Sequence, residues 1–283
     1  MKILIATHKD YTFPGEEPYY PIQVGAKINK KIDNVLYDDS GENISIKNPC
    51  YCELTALYWL WKNVKDEIVG LVHYRRYFKV EKSDISINGH KIVDVNYLQC
   101  LTDTVDILLP EKKHFANEYK NVFWQYYDRH YIQDLIKVKD VVQTKCPEYL
   151  DSFDYVMTQK SMHICNMFVA KKRVMDEYCE WLFDILFSLE SVVDISNYTP
   201  HQKRVYGFLS ERLFNVWLHK NEKVLIVKTC ELVNVETLSN NVKRIRTPSE
   251  FFKIIIDRIE CLHERYFRLI KNRLFLLKKN INY

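Results

Sequence analysis

Short apolar runs alternate with longer stretches of helical periodicity along most of this chain, and that alternation restricts the fold more than any other feature. Lys2–Ala6, Ile68–Val72 and Asp106–Leu109 are apolar runs bounded by polar or turn-forming residues, which is typical of buried strands. In Glu53–Asn63 and Lys172–Glu190, apolar residues recur every three or four positions, as on one face of a helix. Strands that alternate with helices predict an α/β fold.

The remaining segments extend the same pattern. Met162–Ala170 (MHICNMFVA) and Lys223–Lys228 are predicted to be strands, and Tyr206–Lys220 and the aromatic segment Asn117–Val138 are predicted to be helical. Residues 10–50 are rich in Pro and Gly and predict a long loop with little regular structure. Because ligands gather at the carboxyl ends of strands in open α/β sheets, polar residues at those ends are the first candidates for a site.

The composition disfavours several classes of protein. Hydrophobic residues make up 47% of the 283 residues, which is enough for a sizeable core. No apolar stretch reaches the roughly 18 to 20 residues of a membrane span, and the N-terminal apolar run is too short for a signal peptide. The eight cysteines include no C-x-x-C pair, which fits a reducing cytoplasm. The sequence also lacks the motifs of dinucleotide-binding, P-loop, α/β-hydrolase and zinc-protease sites.

Positive charge is concentrated at the C-terminal end. From residue 243 onward the chain has eleven Lys and Arg against four Asp and Glu, while the whole chain carries a formal charge of +4. A near-neutral body with one basic segment is not typical of a nucleic-acid-binding protein. The sequence predicts a globular domain over residues 1–247 and a basic amphipathic helical tail over residues 248–283. The apolar stripe of the tail suits an anionic membrane surface, and also the body or a second copy of the chain in a homodimer.

The segment Gly70–Phe78 (GLVHYRRYF) places two adjacent arginines among aromatic residues at the end of a predicted strand. Guanidinium groups bind phosphate oxygens with paired hydrogen bonds, and aromatic rings stack on a base or a sugar. His73, Tyr74, Arg75 and Arg76 are therefore candidates for binding a diphosphate. If the strand continues, alternation sends the two arginines to opposite faces, and only one of them reaches the ligand. A cluster at the surface or in an interface explains the same residues.

Glu211 lies in a strongly apolar predicted helix (GFLSERLF), which makes it a candidate general base. Burial among apolar side chains raises the pKa of a carboxyl group and suits it to accept a proton near neutral pH. A surface arrangement with Arg212 or His219 is the alternative. His163 and Asn166 are polar residues on an apolar predicted strand and suit contacts to a ligand, although a lone His is more often a satisfied core residue.

Four segments together resemble the DUF4422 family, and they are NISIKNPCYCELTALYWLWKN, GLVHYRRYF, NMFVAKKRVMDEYCEWLFDIL and YGFLSERLFNVWL. The resemblance runs from about Lys2 to His219 and leaves the basic tail outside it. Members of this family occur in bacterial capsule, exopolysaccharide and O-antigen clusters and look like glycosyltransferases, some of them associated with galactofuranose transfer. The resemblance implies a GT-A-like fold, in which an α/β sandwich binds the nucleotide.

The resemblance also implies roles for the candidate residues. The N-terminal strand, with Thr7 and His8 at its end, would meet the base or ribose of the nucleotide, and the strand that ends at His73 would stand where the usual Asp-x-Asp pair lies. Lys9 joins Arg75 and Arg76 as a candidate for stabilising the departing diphosphate. The NMFVA strand would face the sugar. Glu211 would take the position of the acid that deprotonates the acceptor in inverting enzymes.

The acidic residues do not identify a metal site. Many sugar-nucleotide transferases hold a divalent ion with an Asp-x-Asp pair, whereas here Asp38 and Asp39 are adjacent and Asp103 and Asp106 are three residues apart. Because Asp106 begins its predicted strand, it would face the wrong edge of the sheet. No metal ligand is assigned, a requirement for Mn²⁺ or Mg²⁺ stays open, and the arginines could neutralise the diphosphate instead.

These expectations amount to a single-displacement transfer. A sugar would pass from a nucleotide-diphosphate donor, such as a UDP-sugar, to a hydroxyl of a growing lipid-linked glycan in the bacterial cytoplasm, at the inner face of the membrane. A non-catalytic sugar- or nucleotide-binding protein, or a membrane-surface assembly protein of a polysaccharide cluster, would share several of these features. The sequence does not identify the sugar, the linkage or the anomeric outcome.

Overall fold

The computed structural model describes residues 1–102, 104–115, 118–236 and 248–279. The strands are β1 (Lys2–Thr7), β2 (Tyr19–Gln23), β3 (Leu36–Tyr37), β4 (Ile68–His73), β5 (Arg76–Phe78), β6 (Ser86–Ile87), β7 (His90–Lys91), β8 (Ile107–Pro110), β9 (Lys113–His114), β10 (Ser161–Met162), β11 (Phe168–Lys171), β12 (Val227–Cys230) and β13 (Leu232–Asn234). The helices are α1 (Asn48–Tyr51), α2 (Leu54–Asn63), α3 (Val95–Thr102), α4 (Val122–Arg129), α5 (Ile132–Lys145), α6 (Leu150–Thr158), α7 (Lys172–Glu190), α8 (Val205–Lys220) and α9 (Pro248–Lys279). Single 3-10 turns cover Ser45–Lys47, Pro147–Tyr149 and Gln202–Arg204.

A mixed nine-stranded sheet organises the described part of the chain. Its main order is β12-β8-β11-β4-β1-β2-β3, with β5 paired to β4 and β13 paired to β5. β1 runs parallel to β2 and β4, and β11 runs antiparallel to both of its neighbours, β4 and β8. The carboxyl ends of β1, β4 and β8 therefore come to the same edge of the sheet. The observed fold confirms the predicted α/β class.

Strand alternation divides the apolar residues between two cores, one on each face of the sheet. In β1, Leu4 and Ala6 belong to the larger core, and Ile3 and Ile5 belong to the smaller one. The larger core also takes the buried faces of α2, α7 and α8. Each fully buried Leu or Ile stabilises the fold by about 1.5 to 3 kcal/mol, so these faces fix the helices against the sheet. The bounds of α7 are those that the sequence predicted, Lys172–Glu190.

Gly70 lies in the middle of β4, where the backbone of β11 approaches closely. A Cβ atom added to Gly70 would lie 2.9 Å from the carbonyl oxygen of Phe168 and 2.9 Å from Cγ2 of Val169. Real Cβ atoms essentially never make such contacts, so the residue at this position must lack one. The glycine that opens GLVHYRRYF therefore serves strand packing, and the residues after it reach the edge of the sheet.

Residues 10–50 contain more regular structure than the sequence predicted. β2 and β3 add two parallel strands beside β1, so the predicted loop is wrong over those stretches. Pro21 lies inside β2 opposite Ile5, whereas β3 pairs only with Ile22 and Gln23. Because pairing with β3 stops short of Pro21, the N–H group that proline lacks is not needed on that side. The turn-forming residues of this segment predict a loop, whereas β2 forms because it pairs with β1 and β3.

The predicted strand Met162–Ala170 is wrong in its central part. β10 ends at Met162 and β11 begins at Phe168, and the backbone between them turns through left-handed conformations at Cys165 (φ 78°) and Asn166 (φ 49°). Asn enters this region more readily than most residues. We call residues 163–167 the 163–167 turn. Its side chains are largely buried, as those of a strand would be. Apolar periodicity therefore does not distinguish the two cases.

Two other predicted elements have different bounds. The aromatic segment Asn117–Val138 forms two helices, α4 and α5, which are separated at the extended residue His130. Asn121 caps α4, since its side-chain oxygen accepts a hydrogen bond from the N–H of Trp124 at 3.0 Å. The late strand, predicted over Lys223–Lys228, is β12 and begins four residues further on, at Val227.

α9 packs against α4 and α5 through polar groups. Asn272 is 2% exposed, and its amide donates to the carbonyl oxygens of Tyr127 and His130, both at 2.8 Å. Its side-chain oxygen accepts from the N–H of Ile132 at 3.0 Å. Three backbone groups of the body are therefore satisfied by one side chain of the tail. Residue 247, the predicted end of the globular domain, lies outside the described residues.

The predicted apolar stripe of the tail faces away from the body over the residues whose side chains are described. The exposed fractions of its residues Leu262, Tyr266, Ile270 and Leu274 lie between 40% and 65%. Phe267 and Leu277, which the sequence did not assign to the stripe, are 52% and 65% exposed. Phe275 and Leu276, on the other side of the helix, pack against the larger core. Within the described ranges, no helix is both long enough and apolar enough to cross a bilayer.

Candidate functional site

A cavity of about 790 Å³ opens at the carboxyl edge of the sheet. Its wall includes Ala6 from β1, His73 from β4, and Gly207 and Glu211 from α8. Ligands of open α/β sheets bind at this edge. The volume also lies within the range of about 300 to 1,000 Å³ that is usual for sites of small molecules and cofactors.

Both arginines of the segment Gly70–Phe78 line the cavity. His73 pairs with Arg76 across a hairpin, so the chain reverses direction over Tyr74 and Arg75. The strand does not continue past His73, so the condition under which alternation would send the two arginines to opposite faces is not met. Nη1 of Arg75 donates to Oε2 of Glu236 at 3.3 Å. Arg76, by contrast, forms no salt bridge within the part of the chain that the structure describes.

His73 and Tyr74 form an aromatic part of the wall. Burial, together with the charge of Arg76, lowers the pKa of His73 to about 4, so that its imidazole is neutral at pH 7. Nε2 of His73 is buried and has no hydrogen-bond partner among the described residues. Tyr74 presents its ring edge-on to His8, with 5.3 Å between the ring centres. A neutral imidazole with an unused nitrogen can donate to a ligand or accept from it.

The three residues at the end of β1 have different surroundings. Thr7 is 1% exposed, and its hydroxyl donates to the carbonyl oxygen of Lys9 at 2.6 Å, so it shapes the turn. His8 lines the cavity. Nζ of Lys9 lies 3.2 Å from Oε1 of Glu236 and 4.8 Å from the ring centre of Tyr74. Glu236 therefore holds both Lys9 and an arginine of the cavity wall close to the same ring.

Glu211 lies in the cavity wall with both carboxylate oxygens engaged. Oε1 accepts from the N–H of Cys165 at 2.7 Å, and Oε2 accepts from Nη1 of Arg212 at 3.0 Å. Burial raises the pKa of Glu211 above its ordinary value, while the charge of Arg212 and the Cys165 N–H act in the opposite direction. Arg212 is only 3% exposed, so this is not the surface pair that the sequence left open. A carboxyl group with a raised pKa in a cleft is a candidate general base.

His163 and Asn166 lie behind the cavity wall. Nδ1 of His163 lies 2.6 Å from the carbonyl oxygen of Pro110, and its ring lines a second cavity of about 610 Å³. Burial lowers the pKa of His163 to about 4. The amide of Asn166 donates to Oε1 of Glu53 at 2.7 Å and to the carbonyl oxygen of Gly207 at 3.2 Å. In this placement the two side chains support the wall instead of forming its surface.

The ribbon of β9 and β10 separates the two cavities. Lys113 and Met162, which are paired partners, line the first cavity, whereas the paired residues His114 and Ser161 line the second. Neighbouring residues of a strand point to opposite faces, so a two-stranded ribbon presents one pair to each side.

The sequence did not identify several residues of the cavity wall. They are Cys52, Glu53, Lys113, Phe115, Gln125, Arg204 and Phe208. Glu53 directly precedes the apolar helix α2, where an acid is ordinarily explained by the helix dipole. One signal for Glu53 was its position at the end of residues 48–53 (NPCYCE), a run with polar and turn-forming residues that directly precedes α2. Two of these wall residues contact each other, since Nε of Arg204 lies 3.1 Å from Sγ of Cys52.

The acids considered as metal ligands are engaged elsewhere. The carboxylate of Asp38 accepts from the N–H groups of Gly25 and Ala26 at 2.8 and 3.0 Å, and Asp106 is held by cations of β11 and α7. Asp103 lies outside the described residues. Among the described residues, no group of three or more His, Cys, Asp and Glu is placed to hold a metal ion. The cationic side chains after β4 do not fit a divalent ion as ligands.

A family model described as "Domain of unknown function (DUF4422)" matches residues 2–222. The chain belongs to the DUF4422 family. No curated protein matches it. A solved structure described as the apo form of WbbM, a bifunctional glycosyltransferase, is similar, with a TM-score of 0.73 and 34% sequence identity. The similarity covers 82% of this chain and 44% of that one, so the chain spans less than half the length of WbbM.

Membership of the DUF4422 family confirms the resemblance that the four sequence segments indicated. The similarity to WbbM also confirms the glycosyltransferase-like α/β fold. All of the residues that line the larger cavity fall within the matched range, since they lie between Ala6 and Arg212. The DUF4422 match ends two residues after α8, and α9 lies beyond it.

Proposed function

We propose that this DUF4422 protein is a glycosyltransferase that moves a sugar from a nucleotide-diphosphate donor to a hydroxyl of a growing bacterial surface polysaccharide. One observation carries the proposal. A single cavity at the carboxyl edge of the sheet combines a carboxyl group of raised pKa, Glu211, with the cations Arg75 and Arg76. The similarity to a bifunctional glycosyltransferase at 34% identity supports the same class of reaction.

The proposed reaction is a single displacement with inversion. Glu211 accepts the proton of the acceptor hydroxyl as that oxygen forms a bond to the anomeric carbon. The bond between the anomeric carbon and the phosphate oxygen breaks, and its electron pair leaves with the nucleotide diphosphate. Negative charge grows on the departing phosphate, so Arg75 and Arg76 stabilise the transition state more than the bound donor. His73 adds a neutral hydrogen-bonding group beside them.

The finer assignments rest on the family resemblance and belong to the same proposal. The donor is a UDP-sugar, with galactofuranose as the first sugar to test, and the acceptor is a lipid-linked glycan at the inner face of the bacterial cytoplasmic membrane. Residues 1–247 form the transferase domain and residues 248–283 form a tail. Thr7, His8 and Lys9 stand on the nucleotide side, where the aromatic ring of Tyr74 offers a surface for stacking.

A thermal-shift panel of nucleotide sugars tests the donor class. A donor at 100 times its dissociation constant should stabilise the protein by about 2.7 kcal/mol, which corresponds to a rise of about 5 °C or more in Tm. Each compound is measured with Mn²⁺ and with EDTA, and release of nucleotide diphosphate is followed when a glycan acceptor is present. A protein that binds a donor but never releases nucleotide would be a binding module, and the enzymatic proposal would then be rejected.

The exposed side of α9 supports a second proposal, that the tail lies on an anionic membrane. Leu262, Tyr266, Ile270, Leu274 and Leu277 follow one another at intervals of three or four residues, so they form one stripe that faces away from the body. Exposed basic residues accompany the stripe, namely Lys271, Arg273, Lys278 and Lys279. Apolar side chains at the acyl boundary, with cations at the headgroups, are the arrangement of an interfacial helix.

Charged substitutions in the stripe should release the protein from vesicles. We expect the double variant Ile270→Glu/Leu277→Glu to bind vesicles that contain phosphatidylglycerol at least about tenfold more weakly, because two apolar side chains are lost from the interface. Flotation of the full chain measures the effect. The matched control is Ile46→Glu/Val224→Glu, which changes two residues of the body that are 65% and 74% exposed. Equal losses in both variants, or no loss in either, would contradict the proposal.

A further inference from the structure

The cavity holds two carboxylates, and one turn of the backbone holds both of them. The N–H of Cys165 donates to Oε1 of Glu211 at 2.7 Å, and the side-chain amide of the next residue, Asn166, donates to Oε1 of Glu53 at 2.7 Å. Glu53 and Glu211 both line the cavity. The 163–167 turn therefore fixes the positions of two acids from separate parts of the chain. Glu53 directly precedes α2, and Glu211 lies within α8.

The left-handed backbone of the turn makes this double attachment possible. Residues Cys165 and Asn166 have φ values of 78° and 49°, so the N–H of the first and the side chain of the second are directed to neighbouring partners. This conformation is unfavourable for a residue such as Cys, and it persists only where the surroundings hold it. The two hydrogen bonds to the acids are part of those surroundings.

The amide of Asn166 is committed to this arrangement. It donates to Glu53 and to the carbonyl oxygen of Gly207, and its oxygen accepts from the hydroxyl of Ser210 at 3.1 Å. These contacts fix which end of the amide faces Glu53, because only the nitrogen can donate to a carboxylate. Asn166 is thus a positioning residue, and Glu53 is the group that it presents to the cavity.

We infer that Glu53 binds a hydroxyl group of the donor sugar, an inference that rests on the proposed transferase function. An ionised carboxylate only accepts hydrogen bonds, and a nucleotide sugar offers it the hydroxyls of the transferred sugar, the ribose hydroxyls and the N–H groups of the base. The transferred sugar fits best, because the 163–167 turn holds Glu53 together with Glu211, the proposed base, which acts on the hydroxyl that attacks the anomeric carbon. The diphosphate cannot take this place, since its negative charges would be repelled by Glu53 and are matched by Arg75 and Arg76. Glu53 is therefore a specificity residue for the sugar, while Glu211 keeps the role of the base.

The surroundings of Glu53 act on its pKa in both directions. Burial raises the pKa of Glu53, and the hydrogen bond from Asn166 and the charges of Arg204 and Arg76 oppose that rise. The position at the start of α2 adds the favourable end of a helix dipole. A partly buried carboxylate that is held in one orientation loses little freedom on binding, which makes its hydrogen bonds selective.

Titration calorimetry of the full chain with UDP and with UDP-sugars tests the inference. The probes are UDP, UDP-galactofuranose, UDP-galactose, UDP-glucose and UDP-N-acetylglucosamine. In Glu53→Gln we expect the dissociation constant of the best UDP-sugar to rise about tenfold or more, because a hydrogen bond to a charged group is weakened. The dissociation constant of UDP should change less than about twofold, since UDP lacks the transferred sugar. Asn166→Ala should show a smaller change in the same direction.

Two further variants separate this role from others. Glu190→Gln is the matched control, because Glu190 is also a hydrogen-bonded carboxylate, 2.7 Å from the hydroxyl of Tyr51, but lies outside the cavity. Glu53→Asp keeps the charge and withdraws it by one methylene, so it should weaken the UDP-sugar and leave UDP unchanged. UDP binding in the same samples reports that each variant is folded.

The outcomes decide the inference in either direction. A loss confined to the UDP-sugar in Glu53→Gln and Glu53→Asp supports it. Equal losses for UDP and the UDP-sugar overturn it, because Glu53 would then serve the nucleotide or the fold. Unchanged UDP-sugar binding also overturns it, and if turnover is lost in that case, Glu53 is the base in place of Glu211. A wild-type protein that binds neither UDP nor any UDP-sugar overturns this inference and the proposed function together.

Discussion

Replacing Glu211 by Gln is expected to lower turnover by about 10²- to 10⁴-fold at saturating donor and acceptor, because general-base catalysis contributes an effect of that size. Gln has nearly the same shape and its oxygen can still accept from the N–H of Cys165, so we expect the dissociation constant of the donor to change by less than about threefold. Initial rates of nucleotide release and calorimetric donor binding, measured on the same preparation, check both statements.

The stability of this variant has to be measured alongside its activity. Arg212 is 3% exposed and loses its counter-ion when Glu211 becomes neutral, which favours unfolding. Arg212 keeps its hydrogen bonds to the carbonyl oxygen of Phe208 and to Oε1 of Gln125. Turnover is therefore compared below the onset of unfolding, with Glu190→Gln as the control. Wild-type turnover in Glu211→Gln would exclude Glu211 as the base.

The pH dependence of the wild-type enzyme follows from the same residue. A base is active only when it is deprotonated, so kcat/KM should fall as the pH decreases through the pKa of Glu211 in the free enzyme. Burial raises that pKa above the ordinary value for Glu, so the fall should begin at a higher pH than for an exposed carboxyl group. The residual activity of Glu211→Gln should lack this limb of the profile.

Replacing Arg76 by Gln is expected to lower kcat/KM by about 10²- to 10³-fold, the effect of removing one preorganised group from a developing negative charge. Arg76 lies in the cavity wall beside His73 and forms no salt bridge among the described residues, so its charge is available to the diphosphate. Arg75 is 38% exposed and already pairs with Glu236, so Arg75→Gln should cost less. The kcat/KM values of Arg75→Gln and Arg76→Gln therefore compare two neighbouring arginines of the same cavity wall directly.

The control for both arginine variants is Arg173→Gln. Arg173 is 59% exposed and pairs with Asp106, away from the cavity wall. We expect its kcat/KM to match that of the wild type. If Arg75→Gln and Arg76→Gln lowered kcat/KM no more than Arg173→Gln does, the diphosphate would have to be bound by other cations, and Arg204 would be the next candidate in the same wall.

The sequence predicted several elements closely and missed others, among them the helices α3 and α6 and the short strands. β1, β4, α2 and α7 were found within one residue of their bounds, because each has a continuous apolar pattern that matches its own period. β2, β3 and β13 have two to five residues each and are stabilised by pairing with other strands. In β13, for example, Val233 pairs with Tyr77. A pattern of two or three residues cannot show such pairing.

The candidate site was predicted only in the parts that are local in sequence. Adjacent arginines after a strand and an acid within an apolar helix are visible in a single segment, and both lie in the cavity wall. Glu53 was missed because its partner, Asn166, is 113 residues away. His163 and Asn166 were predicted to contact a ligand from a strand. The structure has a turn with left-handed residues there, and both side chains lie behind the cavity wall. Tertiary contacts, which the sequence does not display, decide such cases.

The three hydrogen bonds of Asn272 to the body have a consequence for how the molecule stands on a surface. A helix that is bound to the backbone at Tyr127, His130 and Ile132 cannot roll about its own axis. Any surface that covers the exposed side of α9 therefore also sets the tilt of the body and the height of the cavity mouth. For the transferase proposed above, acting on a lipid-linked acceptor at a bilayer, that height would be a fixed distance to the lipid anchor, and acceptor length would become a property that it selects.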